Sequence, residues 1–145
     1  MKVPHLLRVA QGAEIFAPLF AAADALGLKL GWLEFPEGPQ PAPPTLAEAA
    51  GQGARRAVAV GQGGSIALKP RKGEPVLRDL LREHFLGCAL VLIAGDMPAP
   101  EKLCTLEPQG EGWVVKGEGS VRHFSTEELA RALRKARPWE HGHTD

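Results

Sequence analysis

Several groups of side chains in this sequence are of types that do chemistry. The first is Gly61-Gln62-Gly63-Gly64-Ser65, which directly follows the apolar run Ala57-Val58-Ala59-Val60. Successive backbone N–H groups in a glycine-rich turn after a strand can cradle a phosphate. The string matches neither G-x-G-x-x-G nor G-x-x-x-x-G-K-[ST], and Ile66-Ala67-Leu68 reads as a second strand where a phosphate loop would open a helix. A hairpin connection is the favoured reading. Gly61, Gly63, Gly64 and Ser65 are kept as candidate anion-binding residues. The second group is Lys69, Arg71 and Lys72, placed just ahead of an amphipathic helix. There, ammonium, guanidinium and free helix N–H groups could converge on an anion, although a solvated basic turn accounts for the same residues. The third is Asp96, which closes the most apolar run of the chain. Ligands of open α/β sheets gather beyond strand carboxyl ends, and an Asp there could act as a base or hold a ribose or metal. An ordinary turn aspartate ahead of Met97-Pro98 is the plainer reading.

Other arrangements are weaker. His84 lies four residues before Cys88, on the apolar arc of its helix, but Gly87 breaks the helix between them and no second ligand pair is evident. A packed histidine with one hydrogen bond is expected. Cys104 and His123 fall on different candidate strands, and nothing in their spacing joins them as a nucleophile and base. His141 and His143 belong to a polar tail. No serine sits in a G-x-S-x-G elbow, and no carboxylate pair stands apart from the scattered glutamates.

Bulk properties narrow the classes further. With 145 residues, 17 Lys plus Arg and 17 Asp plus Glu, the chain carries no net charge. Binding to nucleic acid or an anionic membrane is driven by clustered cations, so neither partner is expected. The two cysteines form no disulfide framework or zinc knuckle. No apolar run approaches the length of a membrane helix, and residues 1–10 lack a leader pattern, so a cytoplasmic protein is expected. The chain has no Asn or Tyr and 13 Pro, a bias that fits heat adaptation and also fits a GC-rich genome.

These candidates need elements to hold them. Residues 5–10 read as a first strand. From Ile15 on, the apolar residues Ile15, Phe16, Leu19, Phe20, Ala23 and Leu26 share one helical arc, with regular helix starting early or only near Pro18, and with Gly27 as its stop. Residues 28–35 suggest a strand near a sheet edge. The proline-rich stretch 36–44 suggests an extended loop. Thr45 with Glu48 forms a capping-box pattern opening a short helix, 46–50. A helix followed by the apolar run 57–60 is the order of a crossover feeding a buried parallel strand. The next helix is expected to start at Pro75, with Val76, Leu77, Leu80, Leu81 and Phe85 as its buried stripe. The run 88–94 has no polar residue and should be covered on both faces; it and 57–60 are expected at the centre of one sheet. Residues 102–107, 113–116 and 120–124 suggest an antiparallel meander, and Ser125 with Glu128 a second capping box. The expected fold is a single α/β domain, residues 1–138, followed by a flexible tail, 139–145. Its sheet is mixed and mainly parallel, flanked by helices, with a C-terminal meander and helix.

Residues 5–35 resemble the opening of the nicotinamide-nucleotide domain in ferredoxin-reductase-like flavoproteins. A strand (Leu6-Leu7-Arg8-Val9-Ala10) meets the turn Gln11-Gly12 and then a helix with an early proline (Ala17-Pro18-Leu19). The turn departs from that family's small-residue pattern by carrying Glu14-Ile15-Phe16, and the chain is too short for the flavin-binding barrel, so no family or cofactor is assigned. Three function classes follow. The chain binds a small phosphorylated or carboxylated molecule through Gly61, Gly63, Gly64, Ser65, Lys69, Arg71, Lys72 and Asp96. Alternatively, it is a homo-oligomeric interaction module pairing through residues 28–35 or the meander. As a third class, it is a small enzyme using Asp96 or His84 as acid or base.

Overall fold

A computed structural model describes residues 3–35, 43–71, 73, 75–96 and 102–135. The chain is α/β: a mixed, mostly parallel six-stranded sheet, a separate antiparallel hairpin and four helices among the described residues. The sheet comprises β1 (His5–Val9), β2 (Lys29–Phe35), β5 (Cys88–Gly95), β6 (Thr105–Gln109), β7 (Gly112–Gly117) and β8 (Ser120–Phe124), in the order β2-β5-β1-β6-β7-β8. β2, β5, β1 and β6 run parallel, while β7 and β8 continue antiparallel as the expected meander. The join between the two halves is short: Arg8 opposes Thr105, and the Arg8 N–H donates to the Cys104 carbonyl at 2.9 Å.

β5 is buried because every side of it is covered. β1 and β2 pair with its edges, and alternate side chains enter two different cores. Leu90 and Leu92 join Leu7, Phe16, Leu19, Leu106, Trp113 and Leu129 on one face. That face is closed by a 3-10 turn (Ala13–Phe16), α1 (Ala17–Ala25) and α4 (Thr126–Ala132). Phe16 stacks on Trp113 with ring centroids 5.5 Å apart, and the Trp113 indole N–H donates to Thr126 Oγ1 at 2.9 Å. Val91 and Ile93 enter the opposite core with Leu77 of α3 (Leu77–His84). Regular helix in α1 starts at Ala17 with Pro18 in its first turn, where a missing N–H costs nothing. Ile15, counted on the apolar arc, lies in the 3-10 turn and is 41 % exposed.

Three expectations are corrected. The run 57–60 is not a central parallel strand. It forms β3 (Ala57–Gly61), which pairs antiparallel with β4 (Gly64–Leu68) in a two-stranded sheet of its own. A connection this short folds the chain straight back on itself, so β3 takes its neighbour from the next strand rather than from the main sheet. The capping box at Thr45 does not form: α2 (Pro44–Gly51) begins two residues earlier behind Pro43, with no side-chain cap. Pro44 at the first helical position presets the backbone and shifts Thr45 inside the helix. α3 likewise begins at Leu77 rather than Pro75, leaving Val76 as its extended N-cap and 52 % exposed. At Ser125 the second capping box is complete, with Glu128 N–H donating to Ser125 Oγ at 3.1 Å and Ser125 N–H to Glu128 Oε1 at 2.8 Å. Of the proline-rich stretch 36–44 expected as an extended loop, residues 36–42 lie outside the described residues, as does the tail 139–145, while Pro44 belongs to α2.

Candidate functional site

The glycine cluster is the turn of the β3–β4 hairpin. Gly61 opposes Gly64, so Gln62 and Gly63 form a two-residue connection, and Gly63 takes a φ of 88° that a side chain would resist. Ser65 opposes Val60 one step below. All of these residues are exposed. Beside them lies an open hollow of about 450 Å³ lined by residues 59–62 and 64–66. At Gly61 and Gly64 no neighbouring atom lies where a Cβ would point, so the paired glycines leave that space free.

The basic turn starts where β4 ends. Lys69 lies five steps along the chain from Gly64, which at strand spacing is about 16 Å. The two halves of the sequence-derived site therefore sit at opposite ends of the hairpin, and β4 holds them apart. Lys69 and Arg71 do not reach toward the N-terminus of α3 either. Both turn to its last turn, where Lys69 Nζ lies 2.8 Å from Glu83 Oε1 and Arg71 Nη2 donates to Glu83 Oε2 at 2.7 Å. Cations are favoured at that end by the helix dipole, and the carboxylate fixes their position. The hydrogen bond from Lys69, then that from Arg71, holds the Glu83 carboxyl at about 2 against an ordinary 4.5. Lys72 lies outside the described residues.

His84 completes this cluster in a way the sequence did not suggest. It is not packed in the core. Its side chain is 48 % exposed, with Nε2 3.5 Å from Arg71 Nη2 and 3.8 Å from Glu83 Oε1, and its ring meets Phe85 edge-on. α3 stops at His84, which shares the arc of Leu77 and Leu80 but lies exposed at the end of the helix. Glu83 itself had no signal in the sequence: it is twelve residues from Arg71 and one of many exposed glutamates. Asp96 follows β5 directly, exposed beyond Gly95 at the carboxyl end of the parallel strands. Gly95 adopts a φ of 87°, and a Cβ there would run into the Phe35 carbonyl oxygen, so the ends of β2 and β5 lie in close contact.

Cys88 and Cys104 are not joined in a disulfide and lie in partly buried positions, and burial pushes the Cys88 thiol up. Among the described residues, no three His, Cys, Asp or Glu side chains are grouped as metal ligands, and no helix is long and apolar enough to cross a membrane.

These observations define an α/β domain with a parallel-centred sheet, one projecting hairpin and a cationic cluster at its base. Among solved structures, the chain is similar to the crystal structure of Bacillus subtilis MobB, with a TM-score of 0.46 and 21 % sequence identity. That likeness covers 68 % of this chain and 65 % of that one, so the matched part spans just under two thirds of the neighbour's length. No family model matches the chain, and no curated protein matches it.

Proposed function

We propose that this chain is a small recognition domain that binds an anionic molecule, phosphorylated or carboxylated, at the basic turn below the hairpin. The observation that carries the reading is the gathering of Lys69 and Arg71 on the single carboxylate of Glu83, at 2.8 and 2.7 Å. Two cations against one anion leave an excess positive charge. An ammonium has three donors and a guanidinium five, so most of their hydrogen-bonding capacity is free to meet a ligand. Glu83 meanwhile holds both heads in place, which lowers the ordering cost of binding. The proposed set keeps Lys72, the next residue in the sequence, and Asp96 marks a second place for a ligand, at the strand ends.

Titration with inorganic phosphate and pyrophosphate, followed by amide chemical shifts, tests this. Saturable shifts at Lys69, Arg71 and Gly73 are expected, weakening as salt rises and lost in Lys69→Ala with Arg71→Ala. Glu83→Gln keeps a carbonyl acceptor to hold one head while removing the competing charge, and should tighten binding. Shifts that are absent, or that survive the double substitution, sink the reading.

A second reading, a homo-oligomeric interaction module, is favoured by the hairpin itself. Val58, Val60 and Ile66 are 51, 81 and 57 % exposed on a ribbon that is apolar on both faces. An isolated two-stranded ribbon is at best marginally stable in water, and apolar surface of this kind marks contact sites. Light scattering on the eluting protein tests it: a dimer that dissociates on dilution is expected, and a monomer at every concentration sinks it.

A further inference from the structure

We infer that the β3–β4 hairpin is a pairing arm that docks antiparallel, tip to base, on the same hairpin of a second copy of this chain. The inference rests on the second reading above and specifies its surface and geometry. Residues 57–68 contain no charged side chain, so two such ribbons meet without repulsion. Val58 and Val60 project on one face and Ala59 and Ile66 on the other, and β-branched residues of this kind suit strand pairing. Among the described residues each strand has its partner on one side only, which leaves a row of outward backbone N–H and C=O groups along each edge. The paired glycines at 61 and 64 leave a hollow with no Cβ to fill it, and a β-branched side chain of the other copy fits there.

Charge selects the direction. Arg55 and Arg56 precede β3 and Lys69 follows β4, so the base of the arm is cationic while its tip, Gln62-Gly63, is neutral. Base-to-base pairing would bring these cations together. Tip-to-base pairing keeps them apart by roughly the length of the strand, about 13 Å. That exceeds the roughly 8 Å over which charges act at physiological salt. A twofold arrangement of this kind is self-complementary and closed, so it stops at two copies. The uncharged tip without an aromatic residue also fits a protein partner better than a lipid surface.

Sedimentation of the full chain tests the inference. Val60→Lys with Ile66→Lys lies on exposed positions, leaves the far-ultraviolet spectrum unchanged and should raise the dimer dissociation constant by at least about a hundredfold. Gln62→Glu places an anion against the other copy's cationic base and should tighten the dimer about threefold at low salt, while Gln62→Lys weakens it about as much. Val121→Lys, on the exposed outer strand β8, should change nothing. If wild-type protein is a monomer at all concentrations, the homo-oligomer reading fails and the arm with it. If a dimer forms but is dispersed by Val121→Lys and not by the hairpin variants, the reading stands and the arm is wrong. Equal responses to Gln62→Glu and Gln62→Lys overturn the tip-to-base geometry. Binding to phosphatidylserine vesicles without self-association overturns the choice of partner.

Discussion

β3 and β5 are both short apolar runs that follow a helix, yet they end in opposite surroundings. Leu90, Val91, Leu92 and Ile93 are fully buried, while Val58 and Val60 in β3 are more than half exposed. The difference lies in their neighbours rather than in hydrophobicity. β5 has a strand on each edge and a core on each face, whereas β3 has one neighbour and α2 at its base. An apolar run thus reports that something should cover it. Whether the cover is the chain's own core or another molecule depends on connections far from the run itself.

The sharpest test of this contrast is truncation. Leu92→Ala removes side chain from a site covered all round and should cost about 2–5 kcal/mol in denaturant unfolding. Val60→Ala should stay within about 0.5 kcal/mol for the monomer and appear instead in self-association. Equal losses would mean that the hairpin is packed as tightly as the sheet. Glycines give the next largest difference. Gly95→Ala combines a positive φ with a collision at the Phe35 carbonyl and should cost upwards of about 3 kcal/mol. Gly63→Ala meets open space and pays only for its φ, about 1–2 kcal/mol.

The two capping-box sequences form a smaller pair of the same kind. Ser125→Ala removes a cap that is made and should lower stability by about 1 kcal/mol, whereas Thr45→Ala, where no cap forms, should leave thermal unfolding nearly unchanged. The least effect is expected from the hairpin's tether to α3. Glu83 is held at about 2 by Lys69 and Arg71, below its ordinary 4.5. Its contribution is therefore complete above pH 4.5 and is lost as the pH falls toward 2. The melting temperature of wild type should drop more than that of Glu83→Gln across that window, and the gap should narrow in high salt because the cluster is solvent-accessible. Parallel curves would mean that the tether adds nothing.

Most of the fold was readable because it is written in local chemistry. The all-apolar run of β5 announced a strand covered on both faces, and Gly27 and Gly87 marked stops at which φ is indeed positive. Ser125 and Glu128 satisfied each other within one turn, so their reading needed no distant partner. The site was less readable because its contacts are not local. Lys69, Arg71 and Glu83 meet only after β4 and α3 have taken their directions, and nothing in their spacing marks Glu83 among the other glutamates. His84 was misplaced for a related reason: it shares the arc of Leu77 and Leu80, but as the last residue of α3 it is about half exposed, and how far along a helix the cover extends is decided by the rest of the fold.

By itself, the sequence determined where strands and helices form, that the sheet is mainly parallel with a terminal meander, and that residues 61–64 turn the chain back. Each of these follows from periodicity, turn chemistry or capping within a few residues. Only the tertiary structure decided that β3 and β4 stand outside the sheet, that β4 separates the glycine turn from the basic turn, and that Glu83 gathers the cations. Those outcomes depend on which edges and faces find partners across the fold. Burial and pairing are properties of the assembled chain, and no single stretch of residues carries them.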